Sequence, residues 1–186
     1  MLPTLVSTRL HLSQAADADF DSLSAIWSHP DVRHFLFADR PVPRDHVSVF
    51  LGSGNAEEDE RLGTWVVRFR GDPEIVGSAS LIRASSSARF EPRLAGLVEP
   101  TLAIDPSKQR HRVGVDTLTL LADYAFGPLR QLQLAATVDA PNEPAIRFTE
   151  RFGFALLSTV PGPIHQLRTY TLSQAAYAQR SDGRAA

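Results

Sequence analysis

The sequence predicts a mixed α/β (α+β) domain in which about seven strands form a central sheet with about four helices. Segments that alternate between apolar and polar residues are interspersed with segments of helical spacing, in the order β-α-α-β-β-β-α-β-α-β-β. Hydrophobic residues make up 43% of the 186 residues, which suffices for one full core. We therefore expect a single domain over residues 1–174, followed by a partly disordered C-terminal tail over residues 175–186.

The N-terminal part of the chain predicts one strand followed by two helices. Residues 7–14 alternate around Leu10 and Leu12, as a strand with one buried face does. Residues 15–27 place aspartates ahead of apolar residues at helical spacing, which is typical of a helix N-terminus. A second, shorter helix is predicted over residues 43–51.

The middle of the chain predicts a hairpin and then a disturbed strand. Residues 64–70 and 74–82 are rich in apolar residues and are separated by Gly-Asp-Pro, which is typical of a β-hairpin. A polar loop over residues 83–93 leads to a further strand over residues 96–104. Because Pro100 lacks the N–H that a ladder needs, this strand should bend, bulge or open there.

The C-terminal part predicts two helices with clear limits and a closing hairpin. From Val113 onward the apolar residues fall on one helix face, until the Gly-Pro pair at 127–128 ends the helix. Asn142 is a candidate N-cap for the next helix, and Gly153 is a candidate stop signal. The remaining segments predict strands over residues 132–140, 155–160 and 164–172.

Composition and charge argue against several classes of protein. The net charge of -2 argues against a general nucleic-acid-binding protein, which needs a broad basic surface. No apolar run approaches the ~20 residues of a membrane span, and the N-terminus lacks a secretory signal pattern. Since the chain has no cysteine, it has no disulfide and no thiolate metal site, and we expect no metal. The expected location is the cytoplasm.

A basic cluster stands at the start of the predicted third helix. Residues 105–118 read DPSKQRHRVGVDTL, in which Lys108, Arg110, His111 and Arg112 lie within five residues. A helix N-terminus offers about four unpaired N–H groups and roughly half a positive charge, so added cations indicate a phosphate or pyrophosphate site. The alternatives are a solvated basic loop without a ligand and a phosphate loop used for nucleic acid.

The strand before this loop indicates how a longer ligand would be held. If Pro100 opens the strand, neighbouring strands splay apart and leave backbone donors and acceptors free in the gap. An extended ligand that carries amides can pair there as a strand would. Pantetheine has two amides and hangs from a pyrophosphate. A strand gap beside a phosphate loop therefore predicts a coenzyme A site.

Four segments resemble the GCN5-related N-acetyltransferase (GNAT) family, in the branch of the ribosomal-protein alanine N-acetyltransferases. They span nearly the whole chain and read LVSTRLHLSQAADADFDSL, IVGSASLI, EPTLAIDPSKQRHRVGVDTLTLLADYAF and VDAPNEPAIRFTERFGF. The resemblance implies a mostly antiparallel, twisted sheet that is splayed between its fourth and fifth strands. It also implies that acetyl-CoA is the co-substrate and that an amine is the acceptor.

The resemblance also implies which residues contact coenzyme A. The family's pyrophosphate loop usually reads Q/R-x-x-G-x-G/A, and here Arg112 stands in place of the first glycine. We expect Arg112 to be tolerated there by keeping a negative φ. The residues implied to form the pyrophosphate loop are Gln109, Arg110, His111, Arg112, Val113, Gly114 and Val115. The residues implied to contact the pantetheine arm are Leu102, Ala103, Ile104 and Asn142.

Candidates for catalysis follow from the same resemblance. Glu99 falls where the family often has a glutamate that acts as a base or orders a water, and the alternative is a structural carboxylate. Thr149 occupies the position of the family's usual tyrosine acid, and Ala145 that of a serine used by some members. Tyr170 on the last strand is a further candidate for the proton donor, whereas Tyr124 is expected in the core.

The sequence thus predicts an N-acyltransferase that moves an acetyl group from acetyl-CoA to a primary amine. With no cysteine and no visible Ser-His pair, the amine is expected to attack the thioester directly in a ternary complex. The acceptor is either a protein N-terminus, which the branch resemblance favours, or a small-molecule amine. The alternative function is a coenzyme A-binding module with little or no transferase activity. The closing hairpin could pair across a homodimer.

Overall fold

The computed structural model describes residues 1–36, 39–40, 59–109 and 111–182. The helix predicted over residues 43–51 lies outside the described residues. Within them the chain forms a mixed α/β fold, with one open sheet of eight strands and six α-helices.

The strands follow the predicted alternation of apolar and polar residues. They are β1 (Leu5–Val6), β2 (Leu10–Gln14), β3 (Gly63–Phe69), β4 (Ile75–Arg83), β5 (Val98–Ile104), β6 (Gln133–Asp139), β7 (Ala155–Pro161) and β8 (Gln166–Ser173). Their order in the sheet is β1-β2-β3-β4-β5-β6-β8-β7. The ladders β1–β2, β2–β3, β3–β4, β6–β8 and β7–β8 are antiparallel, whereas β5 and β6 run parallel through the pair Val98 and Leu134. The mostly antiparallel sheet is thus confirmed, and β1 is an additional short strand.

The helices of the described residues include those with the clearest sequence signals. They are α1 (Phe20–Ser28), α2 (Pro30–Leu36), α3 (Ser85–Ala88), α4 (Val113–Phe126), α5 (Glu143–Phe152) and α6 (Gln174–Asp182). The predicted limits of α5 are confirmed, because the Asn142 side-chain oxygen accepts from the Ala145 N–H at 3.2 Å. At the other end Gly153 adopts a left-handed φ of 108°, as a C-terminal glycine does.

The chain forms two compact units that divide at the end of β4, within β5 and within α4. The first unit comprises Met1–Ile82 with Pro100–Tyr124, and the second comprises Arg83–Glu99 with Ala125–Ala186. The single domain expected over residues 1–174 stays a prediction.

The first unit buries strand β3 on both faces. Val66 belongs to an apolar cluster with residues of α1 and α2 and with Ala103 of β5. The next side chain along the strand, Trp65, meets the ring of Tyr124 on α4 edge to face, with the ring centroids 5.7 Å apart. Because successive side chains of a strand point to opposite faces, α1 and α2 cover one face and α4 the other. Tyr124 is 7% exposed, which confirms its place in the core.

A glycine lets strand β5 approach β4 closely. A Cβ atom at Gly77 would lie 2.5 Å from the carbonyl oxygen of Ala103, much closer than real Cβ atoms come to other atoms. The same two strands are joined at the end of β5, where the Asp105 N–H donates to the Val76 carbonyl at 2.9 Å. These contacts position the backbone of β5 just before the basic loop.

The second unit covers strands β6 and β8 from both sides. On one face the Tyr170 hydroxyl of β8 donates to Glu150 of α5 at 3.1 Å. On the other face Ala135 of β6 shares an apolar cluster with Leu94, which lies in the segment 83–97. This segment and α5 therefore pack against opposite faces of the strands.

Two regions predicted to be irregular contain helices. Residues 83–93, predicted as a polar loop, include α3, and residues 175–182 of the predicted disordered tail belong to α6. Tyr177 anchors α6, because its buried ring stacks on Phe152 with the centroids 6.1 Å apart. A single aromatic residue in a polar segment leaves too little periodicity for a helix prediction.

Candidate functional site

The loop between β5 and α4 carries the basic cluster, and its residue Arg110 lies outside the described residues. The Asp105 carboxylate accepts from the Ser107 N–H at 2.8 Å and caps a short 3-10 turn. The side-chain amide of Gln109 donates to the Ile104 carbonyl at 3.1 Å. Both bonds hold the start of the loop against the end of the strand.

Arg9, which precedes β2, holds the other end of this loop. One guanidinium nitrogen donates to the His111 carbonyl at 2.9 Å, and another to the Asp116 carboxylate at 2.8 Å. The His111 C=O and the Arg112 N–H belong to the same planar trans peptide group, in which the two bonds point in opposite directions. Because Arg9 binds the carbonyl, the Arg112 N–H points away from Arg9. Sequence reasoning missed Arg9, because its partners lie 102 and 107 residues further along the chain.

Arg112 adopts a left-handed backbone conformation with φ of 63°, so the expectation of a negative φ is wrong. Its carbonyl accepts from the Asp116 N–H at 2.9 Å, and the preceding carbonyl is bound by Arg9, so hydrogen bonds on both sides hold this conformation. Glycine tolerates a positive φ, whereas an L-residue is destabilised by about 1–2 kcal/mol. The arginine thus keeps the backbone form that a glycine would take.

The cations of the loop differ in their partners. The Lys108 ammonium lies 3.1 Å from the Glu74 carboxylate, and Arg9 is paired with Asp116. In the described part of the chain Arg112 has no ion-pair partner, and its side chain is exposed. Arg112 is therefore the cation in the described loop that is available to a bound anion.

Backbone groups that bond to no strand flank the loop within the described residues of the first unit. The N–H groups of Val113–Val115 form the first turn of α4, and among the described side chains none accepts from them. Directly after β5, the Asp105 N–H donates to the Val76 carbonyl of β4. The backbone groups of successive residues in a strand point alternately to its two sides, so those of Leu102 and Ile104 point away from β4. Since β5 is the outermost strand of this unit, those groups find no strand partner within it.

Glu99 lies in the second unit and is a buried carboxyl group, 8% exposed. The Ser87 hydroxyl of α3 donates to one of its oxygens at 2.7 Å. Burial raises the pKa of Glu99 and outweighs the opposite influence of Ser87 and of Thr137 on β6. Glu99 therefore holds a proton more firmly than an exposed glutamate, which suits a group that accepts one during a reaction.

The other predicted catalytic residues lie apart from Glu99. Thr149 is buried on the inner side of α5, and Tyr170 bonds to Glu150 of the same helix. Burial raises the pKa of Tyr170. Thr137 pairs across the strands with Thr169, so their side chains lie on the same face of the sheet. Tyr170 is the next residue after Thr169, and its side chain therefore points to the opposite face. The structure does not bring the two candidates together with Glu99, and their roles stay predictions.

A second buried glutamate, Glu91, anchors the segment 83–97 and was not singled out from the sequence. Arg93 donates two hydrogen bonds of 2.8 Å to its carboxylate, and Ser158 of β7 donates a third. Arg93 and Ser158 hold the pKa of Glu91 down at about 2 despite burial. The Glu-Pro pair at 91–92 was an available signal, because an acidic N-cap followed by proline starts a short helical turn.

Comparison with known families identifies the class of protein. The sequence model of the acetyltransferase (GNAT) domain matches residues 9–155, a range that includes β5, the basic loop, α4 and α5. The chain therefore belongs to the GNAT acetyltransferase family. A search of the curated proteins found no match.

Solved structures share this fold over most of the chain. A GNAT-family acetyltransferase from Bacillus anthracis has a TM-score of 0.74 and 14% identity, covering 93% of this chain and 99% of that one. The aminoglycoside acetyltransferase AAC(6')-Ib, in complex with coenzyme A, has a TM-score of 0.75 and 16% identity, covering 92% and 99%. The spermidine/spermine N-acetyltransferase SpeG from Vibrio cholerae has a TM-score of 0.69 and 17% identity, covering 94% and 99%. At these identities the likeness concerns the fold alone.

Two further searches of the described residues gave negative results. No three His, Cys, Asp or Glu side chains of the described part come together as a metal site would require. None of its helices combines the length and the apolar character that a bilayer crossing needs.

Replacing Arg112 by glycine is expected to stabilise the free protein. The left-handed strain disappears, while the unfolded chain gains entropy, so the net gain is about 0.5–1 kcal/mol and the Tm rises by about 2 °C. Arg130→Gly is the matched control, because Arg130 is also an exposed arginine with a positive φ, 53°. Thermal unfolding of both variants checks this. A destabilised Arg112→Gly beside a stabilised Arg130→Gly would contradict the strain argument.

Glu91→Gln is expected to destabilise the fold in a pH-dependent way. The pKa of Glu91 in the folded protein, about 2, lies below the usual glutamate value of 4.5. The ionised carboxylate therefore contributes stability that is present above about pH 4.5 and is lost as the pH falls toward 2. Urea unfolding across this range should show the difference between wild type and Glu91→Gln shrinking as the pH falls.

The control for Glu91 is Glu143→Gln, which removes an exposed carboxylate 3.4 Å from Arg147 on the same helix. Exposed ion pairs contribute little, so this variant should unfold like the wild type at each pH. A Glu91→Gln effect of constant size between pH 7 and pH 3 would show that the hydrogen bonds do not depend on the charge.

Proposed function

We propose that this chain is an N-acetyltransferase that moves an acetyl group from acetyl-CoA to a primary amine. The observation that carries the proposal is the loop before α4, within the range that matches the family. There Arg112 keeps the backbone form of the glycine it replaces, and the N–H groups of Val113–Val115 have no side-chain acceptor among the described residues. A dianionic pyrophosphate is the ligand that such a helix N-terminus favours.

The residues present fit coenzyme A in both chemistry and direction. The N–H groups from Arg112 to Val115 would bind the pyrophosphate, and the Arg112 guanidinium would add a charge-assisted hydrogen bond. The outward backbone groups of Leu102 and Ile104 would pair with the amides of the pantetheine arm, with Ala103 between them. Gln109 closes the end of this strand through the Ile104 carbonyl. Contacts from Arg110, His111 and Asn142 rest on the sequence resemblance.

The proposed chemistry needs a group that takes the proton of the attacking amine. Acetyl-CoA, when bound, supplies a thioester whose carbonyl carbon an amine can attack. Glu99, with its raised pKa, is the proposed base for this proton. An α-amine, with a pKa of about 7.7–8.0, loses its proton more readily than a lysine at ~10.4. Thr149 and Tyr170 remain the proposed donors for the leaving sulfur.

For the acceptor we propose a protein N-terminus, on the resemblance to the ribosomal-protein alanine N-acetyltransferases, with the cytoplasm as the place of reaction. A small-molecule amine is the second candidate, since the fold is shared with an aminoglycoside acetyltransferase and a spermidine/spermine N-acetyltransferase. A coenzyme A-binding module without transferase activity is the alternative, which the replaced residues Arg112, Ala145 and Thr149 favour.

Coenzyme A and acetyl-CoA are each expected to stabilise the wild-type protein against thermal unfolding. At several hundred times Kd the stabilisation is about 3–4 kcal/mol. Arg112→Glu should weaken the affinity about tenfold or more, because a cation is replaced by an anion beside the phosphates. Arg130→Glu makes the same charge change at the same kind of backbone conformation and should keep the full stabilisation. If neither ligand stabilises the wild type, the coenzyme A site is refuted.

Thiol release from acetyl-CoA is expected when an amine acceptor is present. The panel contains a peptide with a free α-amine, its N-acetylated form as the control, a polyamine and an aminoglycoside. Glu99→Gln should lower kcat by about 10²–10⁴ while retaining coenzyme A binding, because a positioned base contributes that much. A wild type that binds coenzyme A but releases no thiol with any amine would establish the binding module instead.

A further inference from the structure

The hydrogen-bond environment of Glu99 is unusually simple for a buried carboxyl group. The groups that lower its pKa against burial are the hydroxyls of Ser87 on α3 and Thr137 on β6 and the backbone N–H of Thr137, and no charged side chain of the described residues influences it. The Thr137 Oγ1 atom is buried, and it has no hydrogen-bond partner of ordinary length among the described residues. The direct bond of ordinary length to the carboxylate therefore comes from Ser87, at 2.7 Å.

The position of Ser87 is determined by its own short helix. The Ser87 carbonyl accepts from the N–H groups of Phe90 and Glu91 at 3.0 Å each, so the backbone after α3 folds back onto it. At the start of the segment the Ala84 N–H donates to the Leu97 carbonyl at 2.9 Å. The four residues of α3 are thus held at both ends, which fixes the backbone position from which the Ser87 hydroxyl reaches Glu99.

The segment is in turn attached to the strands through Glu91. Its carboxylate is bound by Arg93 and Ser158, and the Ser158 hydroxyl lies 2.8 Å from that of Thr169 on β8. Two charged side chains of the segment, Glu91 and Arg93, are therefore engaged with each other, and Glu91 is also engaged with β7. They stabilise the segment that carries Ser87 without acting on Glu99 directly.

We propose that Ser87 is a positioning residue for Glu99: its hydroxyl orients the carboxyl group and favours the ionised form. A hydroxyl that donates to a carboxylate stabilises the charged state of that group and does less for the neutral state. Burial disfavours the ionised form of Glu99, so the hydrogen bond restores part of its capacity to accept a proton. The role in the reaction rests on the proposed function, whereas the effect on ionisation can be measured without it.

The sequence of α3 supplies a matched pair of variants. Ser85, Ser86 and Ser87 are consecutive, but Ser86 is exposed and Ser87 is half-buried and bonded to Glu99. Ser87→Ala removes the donor, and Ser86→Ala removes a hydroxyl from the same helix without touching Glu99. Ser87→Thr keeps a hydroxyl at the position and tests rescue.

The first test is a titration of the Glu99 carboxyl carbon by NMR in protein labelled with ¹³C-glutamate, with the signal assigned from Glu99→Gln. Ser87→Ala is expected to raise the pKa of Glu99 by about one pH unit, a tenfold change in proton affinity. Ser86→Ala should titrate like the wild type, and Ser87→Thr should lie near it. Equal pKa values in Ser87→Ala and Ser86→Ala, with both proteins folded, would overturn the proposal.

The second test separates this proposal from the proposed function. In the pH profile of kcat/KM for thiol release, Ser87→Ala should move the acidic limb about one unit to higher pH and leave the plateau in place. A purely structural role would lower the plateau and leave the limb unmoved, which would overturn the positioning role. If the wild type releases no thiol at all, the proposed function fails, and the NMR titration alone decides whether Ser87 favours the ionised form of Glu99.

Discussion

A carboxyl group withdrawn from water needs a proton, a cation or a hydrogen-bond donor, and the segment 83–97 is organised around that need. Glu91 in this segment and Glu99 on the strand β5 that follows it meet the need in different ways. Glu91 has a guanidinium and a hydroxyl and stays ionised well below neutral pH. Glu99 accepts a hydrogen bond from the Ser87 hydroxyl, and burial raises its pKa. Glu91 thus carries a charge that anchors the segment 83–97, and Ser87 of that segment bonds to the titratable Glu99 on β5.

The basic loop of the first unit depends on a different balance. Arg112 is held in a conformation that is unfavourable for an arginine, and Arg9 and Asp116 supply the bonds that hold it there. Those bonds engage the peptide groups on both sides of Arg112 and leave its side chain uninvolved. Local strain of this kind is typical of functional sites, where the surrounding structure determines a backbone form that the sequence disfavours. The family match covers this loop, where we propose that the pyrophosphate of coenzyme A binds.

The parts of the fold that were predicted correctly have local causes. The caps Asn142 and Gly153 act within one turn of α5, and alternation within a strand needs no distant partner. What was missed depends on contacts between distant segments. Arg9 binds residues more than a hundred positions away, and Tyr177 orders α6 through Phe152 of another helix. The sign of φ at Arg112 was mispredicted for the same reason, since the bonds that impose it come partly from Arg9. Glu99 could be selected as a catalytic candidate from its position in the family's sequence pattern. Its hydrogen-bond donor Ser87 could not be distinguished from the two neighbouring serines by sequence alone.

The two kinds of bond that Arg9 makes respond differently to ionic strength. Its ion pair with Asp116 is largely exposed, so mobile ions screen it, whereas its hydrogen bond to the neutral His111 carbonyl is hardly screened. In concentrated salt the loop would keep its shape while the attraction of the free Arg112 for a polyanion declined. Salt would then slow the association of the ligand with the loop and leave the conformation of the loop unchanged.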